Sequence, residues 1–334
     1  MSYLQTEEGT CLVPGVLEHF GEEARLLRKI IRSMEDVLDQ RGFDQLDFGL
    51  LTKDQLYVRN LEFLGERFMD NLSYVELNGE ERDITILPEG TMRVYDYISR
   101  NNIDRAKIFY SSQFVRNEDP SEVSKGKTRN FWQIGFEIFN YSELESSLEA
   151  IRTANELIRS SGLDTATIRI ADKRLLKGLI GKFSPEEQKI IKKIIDKSDD
   201  SPEKFVKLYS DNGGTDPSVS SEVGDFLSLI HEDELTIGSL RKHASGSETY
   251  QQGVENLGRL YEQLQREMQI KILPFMSKSW DACDKMMFDV RDKSFDGALC
   301  GGGNLTYQNY RPDAFKSGAG IGVTRVNEIL KRKG

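Results

Sequence analysis

The sequence predicts an α+β domain: a mainly antiparallel β-sheet flanked by helices and interrupted by a helical insertion. Three observations carry this. Strand-like segments fall in both halves of the chain, at 81–90, 107–119, 131–140 and 166–172, then again at 270–276, 285–292 and 297–303. Two of them, KIFYSSQFVRNED and FWQIGFEIFN, are separated by a polar loop (120–130) and read as a hairpin with a long basic tip. Residues 173–269 are polar and mostly helical, broken at SDDSPEK and SDNGGTDPSVSSEVGD. The division expected is 1–172 and 270–334 as two parts of one domain, with 173–269 inserted between them.

Taken in order, 17–41 place Leu26, Ile30, Ile31, Met34 and Leu38 at helical spacing, with Gly42 where a C-cap belongs. FDQLDFGLL reads as a strand. ERDITILPEG is a strand that breaks at Pro88, and TMRVYDYISRN is a helix. Residues 142–162 form a helix opened by Ser142 and Glu145 in capping-box spacing and closed at Gly162. SGAGIGVTRVNEILKRKG reads as a glycine-rich turn running into a short helix.

Composition narrows the function classes. Of 334 residues, 38% are hydrophobic and 30% charged, as in an ordinary globular protein. No run approaches the ~18 apolar residues of a membrane span, and the N-terminus lacks the basic and apolar regions of a signal peptide. Cys11, Cys283 and Cys300 are too few and too scattered for a disulfide framework or a zinc site. The expected location is the cytoplasm. A net charge of −10 argues against an obligate, sequence-independent nucleic-acid binder and leaves room for a local basic patch. The three histidines form no triad, and there is no Walker A loop or nucleophile elbow.

Four segments carry chemistry. In the hairpin, Arg116 and Glu118 are two residues apart, Lys125, Lys127 and Arg129 crowd the tip, and Phe131, Gln133, Gly135 and Glu137 alternate onto one face. A ring, a guanidinium and acids on one surface suit a purine nucleotide, with Phe131 on the base and Arg116 on a phosphate. A solvated hairpin with cross-strand Arg–Glu pairs is the plain alternative. In LPEGT, Glu89 and Thr91 are held by a turn and suit an ammonium group; Thr91 as a helix N-cap is the alternative. GAGIGVTRV brings glycines and Arg325 to the start of a helix. CGGGNL either opens space for a ligand or is a bulge.

The order of these segments resembles the histidyl-tRNA synthetase family over nearly the whole chain, including IADKRLLKGLI and KKIIDKSDD in the insertion. The resemblance implies a class II aminoacyl-tRNA synthetase-type fold with a six-stranded antiparallel sheet, a homodimer, and activation of an amino acid with ATP and Mg²⁺ before transfer to tRNA. By match, Arg116 would bind the α-phosphate and Arg325 the γ-phosphate. Glu118 would contact the adenine amino group directly or through metal-linked water, Phe131 would stack on adenine, and Arg129 would reach the phosphates. Glu89, Thr91, Gln133 and Glu137 match the positions that line the amino-acid pocket.

The departures bear on the substrate. Where the family reads approximately Arg-Gly-Leu-Asp-Tyr-Tyr, this chain has KSWDAC: Lys278 replaces the catalytic arginine, Asp281 is kept, and Ala282 and Cys283 replace both tyrosines. Arg and Lys are not equivalent at a bidentate site, so the expectation is an ATP-dependent ligase acting on an amino acid other than histidine, with Lys278 assisting catalysis or meeting a substrate carboxylate. Gly-Gly-Arg-Tyr-Asp becomes GGNLT, and Gly49 stands where the first motif has proline, which weakens the expected dimer contact. No anticodon-binding domain is expected after GVTRV, so the acceptor is tRNA or another carrier, including a carrier protein. The alternatives are an ATP phosphoribosyltransferase regulatory subunit, a histidine–tRNA ligase core, and a catalytically inactive interaction protein. Retention of the ATP set together with loss of the tyrosines favours the active, non-histidine reading.

Overall fold

The computed structural model describes residues 12–333 apart from 78, 80–82, 125–126, 199–200, 232–234, 244–245, 277–282 and 306–314. Helix α1 (Gly21–Gln40) buries Leu27, Ile30, Ile31, Met34, Val37 and Leu38, the repeat of a helix laid on a core. Gly42, at a φ of 74°, ends it with its N–H on the Asp39 carbonyl, a backbone that only glycine adopts without strain. The expected single strand over 43–51 is two short ones. Strand β1 (Asp44–Gln45) runs parallel to one edge of the main sheet, whereas β2 (Leu51–Lys53) belongs to a separate three-stranded sheet.

Two one-turn helices, α2 (Gln55–Val58) and α3 (Leu61–Leu64), precede β3 (Ser73–Tyr74) and β4 (Ile84–Ile86), which complete the small sheet in the order β2–β4–β3. Helix α4 (Thr91–Arg100) is followed by the hairpin β5 (Ala106–Val115) and β6 (Asn130–Phe139), paired without a break from Ala106↔Phe139 to Val115↔Asn130. The tip expected as loop contains a short helix, α5 (Pro120–Ser124), whose start is held by the Asp119 carboxylate accepting from the Ser121 N–H at 2.7 Å. Helix α6 (Glu143–Ser160) opens with the predicted capping box: Ser142 accepts from the Glu145 N–H and Glu145 reaches back to the Ser142 N–H. Such a cap is worth ~1 kcal/mol.

Strand β7 (Thr167–Asp172) leads into α7 (Lys173–Ile180), α8 (Pro185–Ile194), α9 (Pro202–Asp211), α10 (Pro217–Ser228), α11 (Ile237–Leu240) and α12 (Glu248–Leu264). Ser184, Ser201 and Asp216 cap α8, α9 and α10, each followed by proline at the first helical position. The chain returns to the sheet through β8 (Ile270–Ile272), β9 (Cys283–Arg291), β10 (Cys300–Leu305) and β11 (Lys316–Gly322), and closes with α13 (Val323–Lys333).

The main sheet has eight strands in the order β1–β5–β6–β11–β10–β9–β7–β8. From β5 to β7 all neighbours are antiparallel, and short parallel strands flank both edges. The expectation of a glycine-rich turn at 316–322 was wrong. This segment is a strand at the middle of the sheet, with ladders to β6 and β10 satisfying its backbone on both sides. Its glycines do not bend the chain. They alternate with Ala319 and Ile321, which pack into the core, so the glycines strip side chains from the opposite face.

That alternation divides the molecule. Ile134, Phe136, Ile138, Ile168, Ile170, Phe288, Val290 and Ile321 face one large core with α1, α6 and α13. The other face carries a smaller cluster that includes Tyr57, Met92, Tyr95, Tyr110, Phe114, Phe139 and Met287. Arg41 ties α1 to α6 by hydrogen bonds to Thr153 at 2.9 Å, Glu156 at 2.7 Å and Glu149 at 2.9 Å.

Candidate active site

The face carrying the smaller cluster has a floor without side chains. Gly135 on β6, Gly320 on β11 and Gly301 on β10 lie directly opposite one another, and Gly318 and Gly303 form the next row with Glu137. A Cβ at Gly301 would meet nothing within 4 Å, so the space above it is open. The two alternatives for CGGGNL coexist: space is open over Gly301, and the register slips between Gly303 and Leu305.

Glu137 leans over Gly318, where a Cβ would come within 2.1 Å of its Oε2. The carboxyl is 2% exposed, and Oε2 has no hydrogen-bond partner among the described residues. Burial pushes its pKa up to about 8, opposed by the Thr91 hydroxyl and reinforced by the nearby Glu89 charge. Glu89 is equally buried and sits at the start of α4, accepting from the Met92 N–H at 3.1 and 3.2 Å. Glu89 thus caps the helix in place of the expected Thr91, and the cap position itself is Gly90. Burial raises Glu89 to about 7, opposed by the Met92 N–H and the Arg116 charge.

Tyr110 completes this end. Its ring covers Gly90 and Gly135, where a Cβ would approach within 2.4 and 2.2 Å, and its hydroxyl accepts from Gln133 Nε2 at 2.9 Å. Burial holds the phenol far above its usual range. Gln133 in turn leans over Gly320. Glu89, Thr91, Gln133 and Glu137 are therefore brought together, in a buried polar corner with surplus acceptors suited to an ammonium group.

Arg116 lies just past β5. Its Nε donates to the Pro88 carbonyl at 3.1 Å, and its guanidinium stands 4.8 Å from the Phe131 ring centre. Burial lowers its basicity, partly offset by the Glu118 and Glu89 charges. The pairing of Arg116 with Glu118 arises from a turn beyond the strand, in which the Glu118 N–H bonds the Arg116 carbonyl at 2.9 Å, rather than from a shared strand face. Glu118 is engaged by Lys127 at 3.4 Å. Phe131 also contacts Phe114, ring centres 5.9 Å apart, so a base could stack only on the surface that Arg116 leaves open. Arg129 packs against Gly15, its N–H bonded to the Gly15 carbonyl, and its Nε is buried without a partner among the described residues.

Arg325 lies in the first turn of α13, donating to the Ala298 carbonyl and standing 5.3 Å over the Phe295 ring. Its basicity is lowered by desolvation and then by the charge of Arg116. The two arginines thus feel each other across the floor. Lys125, Lys278 and Asp281 lie outside the described residues. Cys283, expected where a tyrosine stands in the resemblance, sits on β9 with its sulfur over Gly303, and burial pushes its thiol up to about 12.

Sequence reading missed Tyr110 and the floor itself. The available signal was glycine at every second position in 318–322, the three consecutive glycines 301–303, and Gly135.

A family profile described as "Histidyl-tRNA synthetase" matches residues 15–323. A histidine–tRNA ligase of Methanococcus vannielii is 25% identical over 284 residues, covering 83% of this chain and 65% of that protein. One from Thermococcus kodakarensis is 26% identical, covering 96% and 74%. This chain thus spans about two thirds of the Methanococcus relative's length. Among solved structures, a Bacillus halodurans protein described as an ATP phosphoribosyltransferase regulatory subunit/histidyl-tRNA synthetase superposes with a TM-score of 0.81 at 15% identity, covering 98% of this chain and 84% of that one. The histidyl-tRNA synthetase of Nostoc sp. PCC 7120 gives 0.79 at 16%, covering 98% and 77%.

Proposed function

The chain belongs to the histidyl-tRNA synthetase family, and from that premise we propose that it is a ligase that activates an amino acid other than histidine with ATP. The observation that carries this reading is a cluster of opposite charges at the glycine-lined face: Arg116, bonded to the Pro88 carbonyl beside Glu89 and close enough to Arg325 to lower its basicity, together with the buried carboxyls of Glu89 and Glu137. A nucleotide needs cations near its phosphates, and an amino acid's ammonium group needs acceptors, which these carboxyls supply and whose ionisation a bound cation favours.

In the reaction the substrate carboxylate attacks the α-phosphorus of ATP in line, the bond to the β-phosphate oxygen breaks, and pyrophosphate leaves. Arg116 stabilises the charge that develops at phosphorus, and Arg325 at the helix start receives the terminal phosphate. Phe131 supports the adenine, with Glu118 beside its amino group and Arg129 beside the phosphates. Catalysis is positioning and charge stabilisation, without a covalent enzyme intermediate. Mg²⁺ accompanies ATP as part of the substrate in this reading.

In this reading Lys278 assists catalysis or meets the substrate carboxylate and Asp281 binds the amino acid, roles taken from the family match alone, and residues 173–269 serve as an insertion domain. A small thiol at Cys283, over Gly303, supports a substrate other than histidine, since the family pattern has a tyrosine at this position. Leu50, Leu51, Val58 and Tyr74 are exposed around the small sheet and support a homodimer. No described helix is long and apolar enough to cross a membrane.

The test is amino-acid-dependent ATP–pyrophosphate exchange across standard and common non-standard amino acids. Exchange with one acid, reduced at least ~100-fold in Arg116→Ala, is the expected result. A folded protein that exchanges with none would overturn the ligase reading in favour of a regulatory or interaction role.

A further inference from the structure

The two buried carboxyls of the corner are not equivalent. Glu89 is provided for by the chain itself: both its oxygens accept from the Met92 N–H, and the positive charges of Arg116 and Arg93 act on it. Glu137 has no such provision. It is 2% exposed. Among the described residues its Oε2 has no hydrogen-bond partner, and the one charge acting on it is that of Glu89, which repels. Lys316 lies on the same face of β11, two residues before Gly318, with its ammonium 5.7 Å from the Tyr95 ring centre. Burial alone lowers its pKa, to about 8. Glu137 is thus a buried acid whose counter-ion the described residues do not supply.

A charge count says what would match it. An ordinary amino acid enters as a zwitterion without net charge and leaves the deficit at Glu137 in place. A diamino acid brings one more positive charge. Its α-ammonium is one carbon away from the carboxylate that attacks phosphorus, so it belongs at Glu89, near Arg116. The second ammonium then falls to Glu137. Both carboxyls converge on one small residue, Thr91, Glu89 through the backbone N–H and Glu137 through the hydroxyl. That arrangement suits two amino groups on one short aliphatic chain. In the row of Glu137 stand Gly318 and Gly303, with the Cys283 sulfur over the latter. A thiol gives a saturated chain a small neighbour and gives an aromatic cation no ring to stack on.

We infer that the amino acid activated here is an aliphatic diamino acid, whose second ammonium group is received by Glu137 over the glycines of β11 and β10. The inference rests on the ligase reading above, for which it names the substrate class. A cation at that point compensates the carboxylate and fills the hydrogen-bonding capacity of Oε2. Glu137 acts as a specificity residue: a neutral amino acid of equal length would leave the carboxyl buried and unpaired, and is rejected for that reason.

The experiment compares lysine, ornithine, diaminobutyrate and diaminopropionate with their neutral counterparts norleucine, norvaline, α-aminobutyrate and alanine, and with histidine. Each is assayed in pyrophosphate exchange by wild type and by Glu137→Gln. Melting-temperature shifts with the same compounds, without ATP, give a readout independent of turnover. One diamino acid is expected to exceed every neutral one in kcat/KM by at least ~30-fold. Glu137→Gln should lose most of that preference, chiefly through KM, because it removes one partner of a buried ion pair. The same diamino acid should raise the wild-type Tm and leave that of the variant unmoved. The wild-type series decides the substrate class, and the variant assigns it to Glu137. Preference for a neutral amino acid or for histidine, or a diamino preference unchanged in Glu137→Gln, would overturn the inference and leave ATP-dependent activation standing. A diamino-acid Tm shift lost in the variant, without exchange, would strike the ligase reading and leave the role of Glu137. Neither exchange nor shift would overturn both.

Discussion

On the core face of the sheet, Ile134, Phe136, Ile138, Phe288, Val290 and Ile321 interlock with α1, α6 and α13 and exclude water. On the opposite face of the same strands stand Gln133, Gly135, Glu137, Gly301, Gly303, Gly318 and Gly320. One face supplies stability; on the other, Tyr110, Gln133, Glu137 and Cys283 take the space over Gly135, Gly320, Gly318 and Gly303, and the space over Gly301 is open. The comparison teaches that a site can be built by withholding side chains from alternate positions without weakening the ladder that holds the strands together. Burial of the two carboxyls on that face, with Glu137 Oε2 left without a partner among the described residues, costs stability, and the large core opposite offsets it.

Adjacent glycines on β10 give the sharpest way to break the comparison. A Cβ at Gly302, on the core face, would come within 2.4 Å of the Gly318 carbonyl and 2.6 Å of the Ala319 Cβ. Gly302→Ala is therefore expected to cost about 2–3 kcal/mol or more in denaturant unfolding. Gly301→Ala meets open space and should leave stability within ~0.5 kcal/mol, while lowering pyrophosphate exchange at least tenfold by raising the floor. Equal melting temperatures for the two variants would refute the division into faces.

The carboxyl corner gives a pH signature of intermediate size. Folded Glu137 holds its proton to about 8 and Glu89 to about 7, against an ordinary 4.5 in the unfolded chain. Between those values the folded state binds more protons than the unfolded one, so stability falls as pH rises from about 4.5 to 8. Glu137→Gln removes part of that loss. It should flatten the pH profile of the melting temperature and stabilise the protein at pH 8 by on the order of 1–3 kcal/mol. A profile as steep as wild type would contradict the buried, protonated carboxyl.

The smallest effect tests the core face. Asn327 on α13 is wholly buried, and neither its amide nitrogen nor its oxygen has a partner among the described residues. Asn327→Leu should raise unfolding stability by ~1 kcal/mol, because an unsatisfied amide leaves the interior. A loss of stability would mean that water or a neighbour satisfies the group.

Much of this was legible. The α1 stripe, the capping box of α6, the hairpin from Ala106 to Phe139 and the shared face of Gln133 and Glu137 all follow from periodicity or local hydrogen bonding, which sequence spacing records directly. The strand at Lys316–Gly322 was misread because glycine has the same identity in a turn and in a strand whose side chains are withheld. Only the ladders from β6 and β10 distinguish them. The split of 43–51 into β1 and β2 was likewise invisible, since each piece pairs with a strand of a different sheet.

By itself the sequence determined which residues alternate, which helices are capped, and which polar groups the chain has available, because these depend on neighbours within a few positions. It also carried the segment order that marks the family. The tertiary structure decided that Glu89 and Glu137 share one buried corner, that Arg325 comes within reach of the Arg116 charge, and that glycines from three strands align into one floor. Those juxtapositions depend on sheet order and register, and the low-dielectric surroundings that move the two carboxyls exist only once the strands and α4 have packed.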